Sequence, residues 1–236
     1  MRTEDFSSGF DTLLNSYSRN GAFGDTIPDV RLDEYEKSFY LTSAQETYVL
    51  SLYNGKNPDG ESFEQTEELR RFLSPLVEEK EISPITTTTG ILGMESYSKF
   101  FTLPENLWFI TYESVTVSDS KCENNAFLGV YPVRQDEYQK LRKNPFRGAN
   151  EHRALRLDLS DGVIEIISKY NVTKYYVRYL RKLRPIVLTD LDENSINGVS
   201  AITECELPES MHQKILEMAV IMALRSKGVN VNNENK

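Results

Sequence analysis

Apolar residues recur every three or four positions through the first third of the chain, which is the spacing of one face of a helix. The residues that show it are Phe6, Phe10, Leu13, Leu32, Tyr35, Phe39, Tyr48, Leu52, Leu69, Phe72 and Leu76. Thr42-Ser43-Ala44-Gln45 has the pattern of a capping box, so we expect a third helix to begin there, after a short second helix. The pattern predicts a helical region over residues 1–84, made of four helices.

From about Ile85 the apolar period changes to two, which is typical of strands. The segments with this period or with β-rich composition are 85–92, 107–117, 126–133, 155–159, 163–167, 174–181 and 185–188. Asp161-Gly162 separates two of them and predicts a tight hairpin. We therefore expect a mainly antiparallel β region over residues 85–204, interrupted by a short helix near 136–142.

The chain closes with a strong helical pattern over residues 205–228. Pro208 stands where the first helical position should be, and Gly228 can end the helix. Every residue from Ile215 to Leu224 is apolar except Glu217, so we expect most faces of this helix to be buried against other residues. Either the rest of the same fold or a neighbouring subunit provides these residues. Residues 229–236 are polar and predict a flexible tail, so the predicted fold class is α+β with a long C-terminal helix.

Charge is distributed unevenly along the 236 residues, whose net charge is −9. Residues 1–84 hold 17 acidic and 8 basic side chains, whereas residues 134–184 hold 13 basic and 6 acidic ones. Two interpretations stay open: solvated faces of opposite sign, or head-to-tail complementarity between neighbouring copies. The acidic balance disfavours general nucleic-acid binding, and no apolar run approaches the length of a membrane span.

Reactive residues are few and scattered. Cys122 and Cys205 form no CxxC pair, and His152 and His212 are not at metal-ligand spacing from them, which predicts free thiols in a reducing compartment. We interpret both histidines as structural or surface residues. Gly198-Val199-Ser200-Ala201 has only half of a nucleophile-elbow pattern, because Ile202 stands where the second glycine should be. The sequence predicts no catalytic, cofactor-binding or metal site.

Charged clusters allow several interpretations. The acidic ones are Asp33-Glu34-Glu36, Glu67-Glu68, Glu78-Glu79-Glu81 and Asp190-Asp192-Glu193. They lack the spacing of a calcium loop and are typical of solvated helix faces, although the last could serve a small hydrolase. The basic run Arg178-Arg181-Lys182-Arg184, interleaved with Tyr175, Tyr176 and Tyr179, suits a nucleic acid, an acidic protein partner or a solvated sheet edge.

Three stretches in this order resemble a family of neck and tail structural proteins of crAss-like tailed phages. They are Leu32-Asp33-Glu34-Tyr35-Glu36-Lys37-Ser38 leading to Leu41-Thr42-Ser43-Ala44-Gln45-Glu46, then Glu137-Tyr138 with Lys143-Asn144-Pro145-Phe146-Arg147-Gly148, and Cys205-Glu206-Leu207-Pro208-Glu209-Ser210-Met211-His212 before Ile215-Leu216-Glu217-Met218-Ala219-Val220. The resemblance runs from about residue 30 to residue 225. No single stretch is specific, but the ordered combination is more so.

The resemblance implies a structural, non-catalytic ring subunit of the virion neck or tail, at the head-to-tail junction below the portal. Such rings are commonly twelve-fold and line or seal the DNA exit channel. The implied partners are further copies of the chain, the portal protein, adjacent tail ring proteins and, transiently, genomic DNA. No membrane, cofactor or small-molecule substrate is implied, and synthesis would occur in the host bacterial cytoplasm. The alternative hypothesis is a scaffolding, internal cargo or regulatory binding protein of the same virus.

Overall fold

The computed structural model describes residues 1–19, 31–56, 66–85, 98–119 and 122–228. The helices are α1 (Thr3–Arg19), α2 (Glu34–Tyr53), α3 (Glu67–Leu73), α4 (Gln135–Leu141) and α5 (Glu209–Ser226). The strands are β1 (Val77–Ile82), β2 (Lys99–Thr102), β3 (Leu107–Asp119), β4 (Cys122–Pro132), β5 (Arg153–Asp158), β6 (Val163–Ile167) and β7 (Asn171–Arg181). The predicted α+β class is confirmed. None of the helices in the described ranges is long and apolar enough to cross a membrane.

The chain divides into two compact units. The first, which we call the helical unit, comprises residues 1–75 and 183–236, and the second, the sheet unit, comprises residues 76–182. Both units depart from the ranges expected from sequence, and β2 lies in none of the expected strand segments. The strand expected over residues 85–92 lies, except for Ile85, outside the described residues. Residues 77–82 form a strand inside the expected helical region, and residues 183–204 join the helical unit. The domain ranges given above stay a prediction, as does the flexible tail, which lies outside the described residues.

In the helical unit, α5 packs against both α1 and α2. Its buried side chains are Met211, His212, Ile215, Leu216, Ala219, Val220, Ala223 and Leu224. Phe6 and Phe10 of α1 and Leu41 of α2 are fully buried as well. The apolar side chains of α5 are therefore buried mainly by the rest of the same unit, while Met218, Ile221 and Met222 are half-buried.

A buried lysine fastens α1 to α2. The Nζ of Lys37 lies 2.8 Å from Oδ2 of Asp11 and 3.0 Å from Oε1 of Glu34, and it donates to the hydroxyl of Ser7 at 3.2 Å. Burial by itself lowers the pKa of Lys37, but the hydrogen bonds to Asp11 and Glu34 outweigh it and raise the pKa above the usual lysine value. Part of the acidic cluster at the start of α2 is thus committed to holding two helices together.

The second and third helices expected from sequence are one continuous helix, α2. Its capping box is formed by Asp33 and Glu36, each side chain accepting from the other residue's backbone N–H. The capping box expected at Thr42 is wrong, because Thr42 and Gln45 are buried in the middle of the helix. Without a helix-breaking residue between Tyr35 and Thr42, nothing in the local sequence ends the helix there.

Three polar residues on one face of α2 hold residues 184–188 by hydrogen bonds. The hydroxyls of Ser38 and Thr42 accept from the backbone N–H groups of Leu188 and Ile186 at 3.0 and 3.1 Å. The amide of Gln45 donates to the carbonyl of Arg184 at 2.9 Å. The last strand expected from sequence, over residues 185–188, is wrong: the segment bonds to side chains of α2 and contributes only an isolated bridge, Val187 with Thr203, among the described residues.

The described residues of the sheet unit form a sheet of seven strands in the order β1-β7-β3-β4-β5-β6-β2. All pairs are antiparallel except β4 with β5, which are parallel. The hairpin expected at Asp161-Gly162 is present, with φ angles of 58° and 70° that match a tight turn. Ile85, just after β1, bridges Phe100 of β2, so the sheet curls until its two edges meet.

Candidate assembly surfaces

The candidate reactive residues that the structure describes are His152, His212, Cys205 and the stretch 198–201. His152 is exposed on the loop before β5, while Asn197 and Gly198 form a tight turn with φ angles of 50° and 81° in place of a nucleophile elbow. The thiol of Cys205 donates to Oε1 of Gln45 at 3.1 Å, and burial raises its pKa to about 11, which keeps it in the unreactive protonated form. The side chain of Cys122 lies outside the described residues. Within those residues, no group of three histidine, cysteine or acidic side chains could hold a metal ion.

His212 is buried in the helical unit and serves its packing. Its Nδ1 lies 2.8 Å from the amino group of Met1, its Nε2 lies 2.8 Å from the carbonyl of Leu207, and the ring of Phe6 lies 5.2 Å away. Burial lowers the pKa of His212, the Leu207 carbonyl opposes this, and the charged amino group lowers it further. The folded chain therefore favours the neutral imidazole.

We expect this histidine to make stability depend on pH. The folded state binds fewer protons at His212 than the unfolded state, so the free energy of unfolding falls as pH drops through the unfolded pKa of 6.5. Chemical unfolding of the wild type and His212→Gln at pH 7.5 and 5.5 measures this, and the loss on acidification should be smaller in the variant. His152→Gln, at an exposed position, is the matched control and should keep the wild-type loss. An equal loss in all three proteins would contradict the assignment.

A charged network lies among the buried residues of the curled sheet. One guanidinium nitrogen of Arg156 on β5 donates to both carboxylate oxygens of Glu113 on β3, at 2.9 and 2.8 Å. The hydroxyl of Tyr175 on β7 donates to the same carboxylate at 2.8 Å. The Nε of Arg156 lies 2.9 Å from Oδ1 of Asp158 as an ion pair, without the alignment of a hydrogen bond.

The pKa values of this network have opposing causes. Burial raises the pKa of Glu113 above its usual value, and Arg156 and Tyr175 offset this only in part. Burial and the neighbouring Glu113 also raise the pKa of Tyr175. Glu113 accepts hydrogen bonds from both Arg156 and Tyr175, which favours a structural role in connecting β3, β5 and β7. Sequence reasoning missed this network, because Glu113 and Arg156 are 43 positions apart with no local pattern linking them.

The basic run of β7 faces the acidic residues of β1. Lys174, Arg178 and Arg181 pair with Glu81, Glu79 and Glu78 at 2.8, 3.7 and 3.3 Å. On the next segment, Arg184 lies 3.5 Å from Glu206, whereas Lys182 is exposed. Since these carboxylates already neutralise most of the run, a free phosphate-binding surface is not formed there. The interleaved tyrosines divide as well, with Tyr175 and Tyr179 buried and Tyr176 half-buried.

An aromatic strip is exposed on the sheet unit. Its members Tyr112 on β3 and Phe127 and Tyr131 on β4 are 54%, 76% and 48% exposed. Tyr176 meets Tyr112 edge-on at 6.1 Å, and the guanidinium of Arg153 lies 4.1 Å from the centre of the Tyr131 ring. Exposed aromatic side chains beside an arginine are typical of protein–protein contact surfaces.

A further exposed aromatic residue, Phe146, lies on a turn after α4 that is held by several hydrogen bonds. The side-chain oxygen of Asn144 accepts from the backbone N–H of Phe146 at 2.9 Å and of Arg147 at 3.2 Å, and the backbone carbonyl of Asn144 accepts from the N–H of Gly148 at 2.8 Å. A Cβ at Gly148 would lie 2.8 Å from that same carbonyl, so the turn requires glycine there. Phe146 is nevertheless 85% exposed, so the turn presents a large apolar side chain to its surroundings.

Comparisons with known proteins show the family to which this chain belongs. The family model of phage tail ring protein 3/4 matches residues 1–235. The chain belongs to this family of phage tail ring proteins. It is 49% identical over 231 residues to ring protein 3 of Bacteroides phage crAss001, with 96% of each chain covered. It is 30% identical over 233 residues to ring protein 4/5 of the same phage, covering 94% of this chain and 92% of that one.

The resemblance inferred from three sequence stretches is thus confirmed. Membership of the tail ring protein family supports a structural role in the virion of a bacteriophage. The aromatic strip and the Phe146 turn are accordingly the surfaces to consider for assembly.

Proposed function

We propose that this chain forms a closed ring at the head-to-tail junction of a tailed phage, below the portal, around the channel through which DNA leaves. The observation that carries the proposal is the match to the tail ring protein family along residues 1–235, together with whole-length similarity to two ring proteins of one phage. We further propose twelve copies per ring and direct contact with the portal or an adjacent ring. The role is structural, without catalysis.

Two features of the surface support this proposal. The exposed aromatic residues of the sheet unit provide apolar contact area outside the core, as a subunit that packs against other chains needs. The net charge of −9 and the ion-paired arginines of β7 suit a channel wall that binds DNA only weakly. Strong DNA binding needs lysine or arginine side chains that are available to contact the phosphates. Synthesis in the host bacterial cytoplasm and incorporation into the virion follow from the same proposal.

The mass of the assembled chain tests the ring. Size-exclusion chromatography with light scattering should show a discrete large species, near 325 kDa for twelve copies of the 27.1 kDa chain. Cryo-electron microscopy of intact particles, with antibody or tag labelling of this chain, should place it at the junction between head and tail. Labelling confined to the capsid interior would favour the scaffolding or cargo alternative, and a chain absent from mature particles would overturn the proposal.

A further inference from the structure

The two units of the chain carry very different charge. The helical unit has 12 lysines and arginines against 22 aspartates and glutamates, whereas the sheet unit has 15 against 14. Residues 138–150, which we call the basic turn, include Lys140, Arg142, Lys143 and Arg147 and no acidic residue. Residues 189–204, which we call the acidic loop, include Asp190, Asp192, Glu193 and Glu204 and no basic residue. Each unit therefore displays one segment of a single sign.

Like the basic turn, the acidic loop is held by hydrogen bonds within its own backbone. Its backbone forms a small hairpin through the pairs Val187–Thr203 and Ile196–Val199, and the Leu191 N–H donates to the Ser200 carbonyl at 2.9 Å. Val187, Leu191 and Ile196 form a local buried cluster beneath it. Both segments are thus held in one conformation before any partner arrives, which reduces the entropy lost on binding.

An exposed apolar side chain lies within each charged segment. Ile202 is 54% exposed, and its N–H donates to the carboxylate of Asp190 at 3.1 Å, while Glu204 follows two positions later. Phe146, 85% exposed, stands between Lys143 and Arg147 in sequence. Among the described residues, no ion pair involves Lys143, Arg147, Glu193 or Glu204. An apolar centre with charges of one sign on its rim matches an apolar centre with charges of the other sign.

We propose that the basic turn of one copy docks on the acidic loop of the next copy in the ring, with Phe146 packing against Ile202. This inference rests on the proposed function and names its subunit contact. The two surfaces differ and lie on different units of the chain, so the contact is heterologous, as a closed ring requires. Every copy then contributes its basic turn to one neighbour and its acidic loop to the other.

Charge reversal tests the contact in both directions. Variant one carries Lys143→Glu and Arg147→Glu, and variant two carries Glu193→Lys and Glu204→Lys. Each alone should lose the large species in light scattering, because like charges then face each other at every contact. An equimolar mixture should recover it, since the two variants can alternate around an even-numbered ring with opposite charges at each contact. The double variant Lys182→Glu with Lys214→Glu, at two exposed positions, changes net charge as variant one does and should assemble like the wild type.

The apolar centre has its own test. Phe146→Ala should weaken assembly at least tenfold, measured as the concentration of half-maximal assembly, because a large exposed aromatic side chain at an interface centre is a frequent hot spot. Thermal unfolding should show each variant folded like the wild type. If the wild type assembles and the variants assemble equally well, the docking inference is overturned while the proposed ring survives. A wild-type chain that stays monomeric alone and beside its neighbouring ring proteins would overturn both.

Discussion

Replacing Arg156 with methionine is expected to destabilise the sheet unit by about 3–5 kcal/mol, the cost of removing one partner from a buried ion pair. Glu113 would then hold its charge in the sheet interior with only the hydroxyl of Tyr175 to stabilise it. The free energy of unfolding from urea denaturation at pH 7.5 measures the loss. Lys169→Met, which breaks the exposed pair with Glu151, is the matched control and should leave the urea midpoint unchanged.

The same variant should have a diagnostic pH dependence. Without Arg156 the pKa of Glu113 rises further, so the folded state takes up a proton more readily than the unfolded state and gains stability as pH falls. The destabilisation relative to the wild type should therefore shrink toward pH 5. The double variant Glu113→Gln with Arg156→Met removes both charges and should recover most of the loss. A loss that is independent of pH and is not recovered would show that packing, and not the unpaired charge, is responsible.

Removing the hydroxyls that hold residues 184–188 is the second large effect expected. Ser38→Ala with Thr42→Val should cost roughly 2–4 kcal/mol, because two buried backbone N–H groups, of Leu188 and Ile186, lose their acceptors. Thr47→Val lies on the same helix at an exposed position, where the hydroxyl donates only to the carbonyl of Ser43, and should change stability by less than about 0.5 kcal/mol.

Hydrogen exchange locates this second effect. In the double variant the amides of Ile186 and Leu188 should exchange faster than in the wild type, by more than the global loss of stability accounts for. Amides of the sheet unit such as Val177 serve as the internal reference. Unchanged protection at Ile186 and Leu188 would mean that the side chains of α2 do not hold this segment.

Local patterns predicted the elements of this protein well where one residue type repeats at one spacing. The alternation through β7, the Asp161-Gly162 turn and the apolar run of α5 each reflect a rule that acts within a few residues. The same kind of rule failed at Thr42-Ser43-Ala44-Gln45. Those four residues have the pattern of a capping box, but the side chains of Thr42 and Gln45 form hydrogen bonds with a segment about 140 positions away.

The uneven charge along the chain left two interpretations open for the same reason. The acidic residues of β1 and the basic residues of β7 form ion pairs with each other across neighbouring strands. Sequence alone could not show this, because the pairing register joins positions about 100 residues apart. The side chains of Lys143, Arg147, Glu193 and Glu204, which form no ion pair among the described residues, can be identified only after these internal pairs have been assigned.

By itself the sequence determined the α+β class, the position of most helices and strands, and, through three ordered stretches, the phage ring family. These depend on spacing along the chain, which propensity and periodicity record directly. Only the tertiary structure decided that Glu113 meets Arg156, that α2 holds residues 184–188, and that Phe146 is presented on a rigid turn. Those contacts depend on which distant residues the fold brings within hydrogen-bonding distance, and no local pattern encodes that distance.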